Sequence, residues 1–92
     1  MGVTLKGTLR CESIEDAKRL QNALPKHTEL TLLEPGCIYF KVSPTQDPLV
    51  WNVEEEFKDA EAFRAHQERT AKSDWAAETK DMIRDYDVSG LE

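Results

Sequence analysis

The sequence is sparing with the residues that staple, coordinate or bend a chain: 92 positions hold two cysteines, four glycines, four prolines and two histidines. No apolar stretch approaches the roughly 18 residues that a membrane-crossing helix needs, so no membrane association is expected. Cys11 and Cys37 are too few for the disulfide framework of a small secreted scaffold, and free thiols are expected. Neither a Gly-x-Ser-x-Gly elbow nor a glycine-rich phosphate loop occurs, which removes the usual carriers of acyl transfer and nucleotide chemistry. There is no C-x-x-C, H-x-x-x-H or H-E-x-x-H, and His27 and His66 stand 39 positions apart, so no metal site is expected. Positive charge is short as well. Twelve basic residues against 18 acidic ones leave a net charge of −6 without a basic cluster, and nucleic acid is excluded as a partner. The first residues lack the basic head and apolar stretch of a secretory leader, and Lys6 stands where a myristoylation signal needs Ser or Thr. A cytoplasmic location is the expectation.

What is present suits one small globular domain over residues 1–90, with 39% apolar and 33% charged residues. Leu91-Glu92 reads as a cloning remnant. Surface scaling for this length gives about 5,400 Å² exposed when folded, a burial of roughly 64% that leaves little margin.

Val3, Leu5, Gly7 and Leu9 alternate with Thr4, Lys6, Thr8 and Arg10, which predicts a strand over residues 3–10. Ser13-Ile-Glu-Asp then resembles a capping box and opens a helix with Ile14, Ala17, Leu20, Gln21 and Leu24 on its apolar side. Pro25 should break or kink that helix, and a second stretch over residues 26–34 should end at Pro35-Gly36. Residues 37–43 alternate again, with Ile38, Phe40 and Val42 opposite Cys37, Tyr39 and Lys41. Residues 44–48 are turn material, and residues 49–57 form the return strand. Asp59 caps a helix over residues 60–69, Ser73 caps a short one through Trp75, and residues 82–88 form the last strand. The order is strand, helix pair, strand, strand, helix pair, strand. It fits a ferredoxin-like split βαβ sandwich of the α+β class: a four-stranded antiparallel sheet with helices on one face. Apolar residues on both faces of the second and third strands predict a homodimer joined sheet to sheet.

Two side chains stand out chemically. Strand parity puts Glu55 with Leu49, Trp51, Val53 and Phe57, the only charge on an apolar face. Burial there raises a carboxyl pKa and suits a general base, while a carboxylate with a structural partner is the competing reading. His66 shares a helix face with Ala62, Phe63 and Thr70, so its imidazole should turn inward, where it can move protons or donate to a developing oxyanion. A satisfied core histidine is the alternative there. His27 could line the same space from the other helix pair, although Lys26 beside it suggests a surface position. Trp51, Phe63, Tyr39 and Trp75 could wall a flat ligand or simply fill the core and interface.

Three segments carry a resemblance over about residues 3–88. Glu34-Pro35-Gly36-Cys37, then Glu55-Glu56-Phe57-Lys58-Asp59, then Ala62-Phe63-Arg64-Ala65-His66 are similar in order and spacing to landmarks of the antibiotic biosynthesis monooxygenase domain, in a quinol monooxygenase-like subgroup. The resemblance implies a dimeric ferredoxin-like α/β barrel with a cavity between helices and sheet. It also implies oxygen chemistry without flavin, haem or metal, on a small electron-rich aromatic such as a quinol or an anthrone, with Glu55 and His66 as the catalytic pair. The asparagine and tryptophan four apart on a strand, as in anthrone oxygenases of the family, are not present. Asn52 and Trp51 are adjacent and face opposite sides of the sheet. The first strand also lacks the asparagine of the haem-degrading relatives. An isomerase or lyase using the same Glu55 and His66, and a non-catalytic ligand-binding stress protein, are the two other functions the resemblance leaves open.

Overall fold

Alternation along the strands and three capped helices produce seven elements: β1 (Val3–Arg10), α1 (Ile14–Leu32), β2 (Cys37–Pro44), β3 (Val50–Phe57), α2 (Ala60–Ala71), α3 (Asp74–Thr79) and β4 (Ile83–Ser89). They are seen in a computed structural model that describes residues 2–91; the expectations resting on Met1 and Glu92 lie outside those residues. Ser13, Asp59 and Ser73 cap the three helices, each side chain accepting from the amide three residues on. The sheet order is β2-β3-β1-β4 with every pair antiparallel, which is the ferredoxin-like arrangement.

The core fills the space between the helices and one sheet face. β1 sends in Val3, Leu5 and Leu9, β3 sends Trp51, Val53 and Phe57, and Ala17, Leu20, Phe63 and Trp75 come down from the helices. The other face carries Thr4, Lys6, Thr8 and Arg10 in register with Asn52, Glu54 and Glu56 on one side and with Asp85 and Asp87 on the other. Leaving that face open helps explain an exposed area of 5907 Å², above the roughly 5,400 Å² that the length suggests.

Two sequence expectations need correction. Pro25 does not divide the first helical region, for α1 runs through it without a break. The missing N–H leaves a carbonyl free one turn earlier, at Gln21, which is exposed like Pro25 itself, so water can take that carbonyl. Ala17 and Leu20 before the proline and His27 and Thr31 after it are all buried, and their packing outweighs the break. The second correction concerns β2. A bulge between Cys37 and Tyr39 resets the alternation, so that Cys37 pairs with Phe57 and Phe40 with Glu55 on the inner face. Ile38 does not share the inner face with Phe40; it is exposed, as is Tyr39.

Gly7 has a specific steric reason. A Cβ there would lie 2.0 Å from the carbonyl oxygen of Asp85, so only glycine lets β4 approach β1 this closely.

Candidate active site

β3 and α2 bring the two singled-out side chains together. Cross-strand pairing sets Glu55 opposite Leu5 and Phe40, on the face that carries Val53 and Phe57. The carboxyl is only 10% exposed, and its Oε1 lies 3.7 Å from the Nε2 of His66. His66, 2% exposed, is held by the α2 face it shares with Phe63. Its ring lies 4.8 Å from that of Phe57, which Phe63 meets edge-on at 5.8 Å.

Burial, with the charge of Glu34 nearby, pushes the Glu55 carboxyl up to about 7. Burial also lowers the His66 pKa, while Glu34 pulls the other way. Near neutrality the two groups are therefore a half-protonated acid facing a neutral imidazole, rather than an ion pair. A buried carboxyl that can hold its proton beside a neutral imidazole suits general acid–base work.

The other ring nitrogen is tied down. His66 Nδ1 lies 2.9 Å from Glu34 Oε1, and Glu34 Oε2 accepts from Arg69 Nε. Arg69 also donates to the hydroxyl of Thr31 at 2.9 Å, and the Thr70 hydroxyl lies 3.4 Å from His66 Nε2. Glu34, Arg69, Thr31 and Thr70 are site residues that the sequence reasoning did not single out. Glu34 stands in the Glu-Pro-Gly segment that carries part of the family resemblance, so its signal was present.

His27 is inside, contrary to the surface position that Lys26 suggested. It is 4% exposed, stacks on Trp75 at 4.7 Å with the rings 3° from parallel, and lies 5.9 Å from the His66 ring. Burial, aided by His66 and Arg69, holds its pKa down to about 3, so this imidazole stays neutral. Its Nδ1 and the Nε1 of buried Trp51 find no hydrogen-bond partner among the described residues. An orphaned buried donor or acceptor typically costs about 1–3 kcal/mol, which a bound polar group would relieve. Phe63 and Trp75 thus join the Glu55–His66–His27 cluster through ring contacts, and Trp51 lies four residues from Glu55 along the same strand face. Tyr39 lies on the opposite face of the sheet, 44% exposed and paired with Glu56, away from these residues.

Two grooves reach this region. One of about 640 Å³ runs between α1 and α3, with His27 and Trp75 among its lining and Arg19, Lys26 and Lys72 on its walls. The other, of about 350 Å³, is lined by Glu34, His66 and Arg69 together with Lys58, Asp59 and Glu61. Glu34 and Glu55 approach His66 through different nitrogens, and among the described residues no group of three or more His, Cys, Asp or Glu side chains could hold a metal ion. No helix in the described residues is long and apolar enough to cross a membrane.

The family model for antibiotic biosynthesis monooxygenase matches residues 13–78, which is 66 of the 92 positions. The chain belongs to the antibiotic biosynthesis monooxygenase family. Solved structures share its fold at low identity. A Nitrosomonas europaea protein described as a candidate antibiotic biosynthesis monooxygenase is 23% identical with a TM-score of 0.79, the alignment covering 100% of both chains. SnoaB, a cofactor-independent oxygenase from Streptomyces nogalater, is 11% identical with a TM-score of 0.80, covering 99% of this chain and 93% of that one. Rv0793 from Mycobacterium tuberculosis is 14% identical with a TM-score of 0.82, covering 100% and 96%. No curated protein matches the sequence. Within the antibiotic biosynthesis monooxygenase fold, Glu55 and His66 occupy the space between the helices and the sheet.

Proposed function

We propose that this family member is a cofactor-independent monooxygenase acting on a small electron-rich aromatic of the quinol or anthrone type. The observation that carries the reading is the buried pair of Glu55, raised to about 7, and His66, whose Nε2 faces it at 3.7 Å. Glu55 takes a proton from the bound phenol or its keto tautomer, which leaves a delocalised anion. A ring carbon of that anion adds dioxygen and forms a peroxide anion, which takes up a proton. The remaining hydrogen on the carbon leaves as a proton while the O–O bond breaks, giving a quinone carbonyl and water. Dioxygen takes four electrons, all from the substrate, so no separate reductant is needed. The protein's part is to bind the ring, move the protons and exclude water around the developing charge.

His27, Trp75, Phe63 and Trp51 serve as the binding wall, with the unpartnered atoms of His27 and Trp51 meeting the substrate's oxygens. The groove between α1 and α3 is the entry, and its volume lies in the range of small-molecule sites. Tyr39 is assigned instead to a homodimer contact on the open sheet face, together with exposed Ile38 and Ile83; sedimentation at micromolar concentration should give twice the chain mass. Oxygen uptake with a hydroquinone and anthrone panel, against protein-free controls, tests the activity. Turnover that continues without oxygen would favour an isomerase using the same pair, and tight binding without turnover a ligand-binding protein.

A further inference from the structure

One hydrogen-bonding partner of His66 stands apart from the Glu55–His66 pair. Glu34 lies in the turn between α1 and β2, and both its oxygens are engaged, one by His66 Nδ1 and one by Arg69. An ionised carboxylate only accepts hydrogen bonds, so the Nδ1 beside it must carry the proton. Nε2 then presents a lone pair, placed to accept from the Thr70 hydroxyl and directed at Glu55. The titratable and charged groups around the ring are Glu34 from the turn, Arg69 from α2, Glu55 from β3 and His27 from α1. Only some of these are close to solvent. Glu34, His66 and Arg69 line the 350 Å³ groove, whereas Glu55 does not.

We propose that Glu34 fixes His66 as the Nδ1–H tautomer, and that His66 and Glu34 form a proton path between Glu55 and the groove beside α2. Protonated Glu55 gives its proton to Nε2 while Nδ1 passes its own to Glu34, and Glu34 releases it to water in the groove. The ring is left as the Nε2–H tautomer. When the peroxide or hydroxide later needs a proton, the same transfers run in reverse and restore Nδ1–H. Glu34 is a positioning residue and proton outlet; it does not touch the substrate. This path rests on Glu55 being the base, but its first test requires no turnover.

Long-range ¹H–¹⁵N NMR of the full chain with labelled histidine reads the tautomer directly. The expected result is a protonated Nδ1 and an unprotonated Nε2 for His66, shifting to a mixture or to Nε2–H in Glu34→Gln. An Nε2–H tautomer in the unaltered protein overturns the proposal, even should the variant fail to fold. With a substrate in hand, Glu34→Gln should lower kcat at least about tenfold with KM unchanged. An unchanged kcat with the tautomer released would remove the path and leave the oxygenase reading intact; an Nδ1–H tautomer set by Glu34 without oxygen-dependent turnover would do the reverse.

Discussion

Replacing Glu55 by glutamine should make the protein less sensitive to rising pH, because the carboxyl is held in a place that favours its neutral form. Burial raises it from the ordinary 4.5 to about 7. At about 1.36 kcal/mol for each pH unit, ionising it inside the fold costs about 3 kcal/mol. The sign follows from proton uptake. Between 4.5 and 7 the folded chain holds a proton that the unfolded chain has released, so this contribution to stability is complete below 4.5 and is lost as pH rises through 7. Most of the loss, about 2–3 kcal/mol, falls between pH 5 and pH 8. The assay is urea unfolding of both proteins at those two pH values and one fixed protein concentration, which removes any effect of association. Glutamine carries no titrating group, so whatever its amide costs is the same at both. The variant should therefore gain about 2–3 kcal/mol on the unaltered protein between pH 5 and pH 8, or about 10 °C or more in Tm for a domain of this size. A difference that stays constant to within ~0.5 kcal/mol, the scale of a neutral surface change, would refute the reasoning.

The remaining predictions use other parts of the same cluster. His27, depressed to about 3, contributes stability that is present above pH 6.5 and is lost as pH falls toward 3; His27→Asn should flatten the acid side of the stability profile by about 3 kcal/mol, read from unfolding at pH 7 and pH 4. His66→Ala should lower turnover at least about tenfold while circular dichroism shows an intact fold, and equal turnover on a confirmed substrate would take His66 out of the mechanism. Phe57→Ala removes a ring that packs on both His66 and Phe63 and should cost about 3–5 kcal/mol in urea unfolding. Gly7→Ala should loosen β4 from β1, visible as faster amide exchange in β4, because its Cβ would meet the Asp85 carbonyl.

Most of the fold was legible because the strands alternate cleanly and the caps are strong. Ser13, Asp59 and Ser73 each mark a helix start that the hydrogen bonds bear out. The misreadings have local causes. By propensity alone Pro25 ends a helix, but the packing of the residues before and after it carries α1 through. The β2 bulge is invisible to a period-two rule, because one extra residue moves Ile38 off the inner face and Cys37 onto it. Strand parity and helix phase could name Glu55 and His66, since each depends only on its own element. Glu34 and Arg69 lie 32 and 35 positions apart from their partners and meet them only through the fold. Tyr39 stays out of the aromatic group for a simpler reason: it is next to Phe40 on β2, so alternation turns it to the opposite face with or without the bulge.

If Glu55 and His66 let a substrate reduce dioxygen without an added reductant, the two atoms of dioxygen have separate fates. Turnover of a hydroquinone or anthrone under ¹⁸O₂, followed by mass spectrometry of product and water, tests this most directly. The expected result is one ¹⁸O atom in each new carbonyl and the other in water, with the rate lost in Glu55→Gln. Product carrying oxygen from the solvent, or an equal rate in argon, would contradict it.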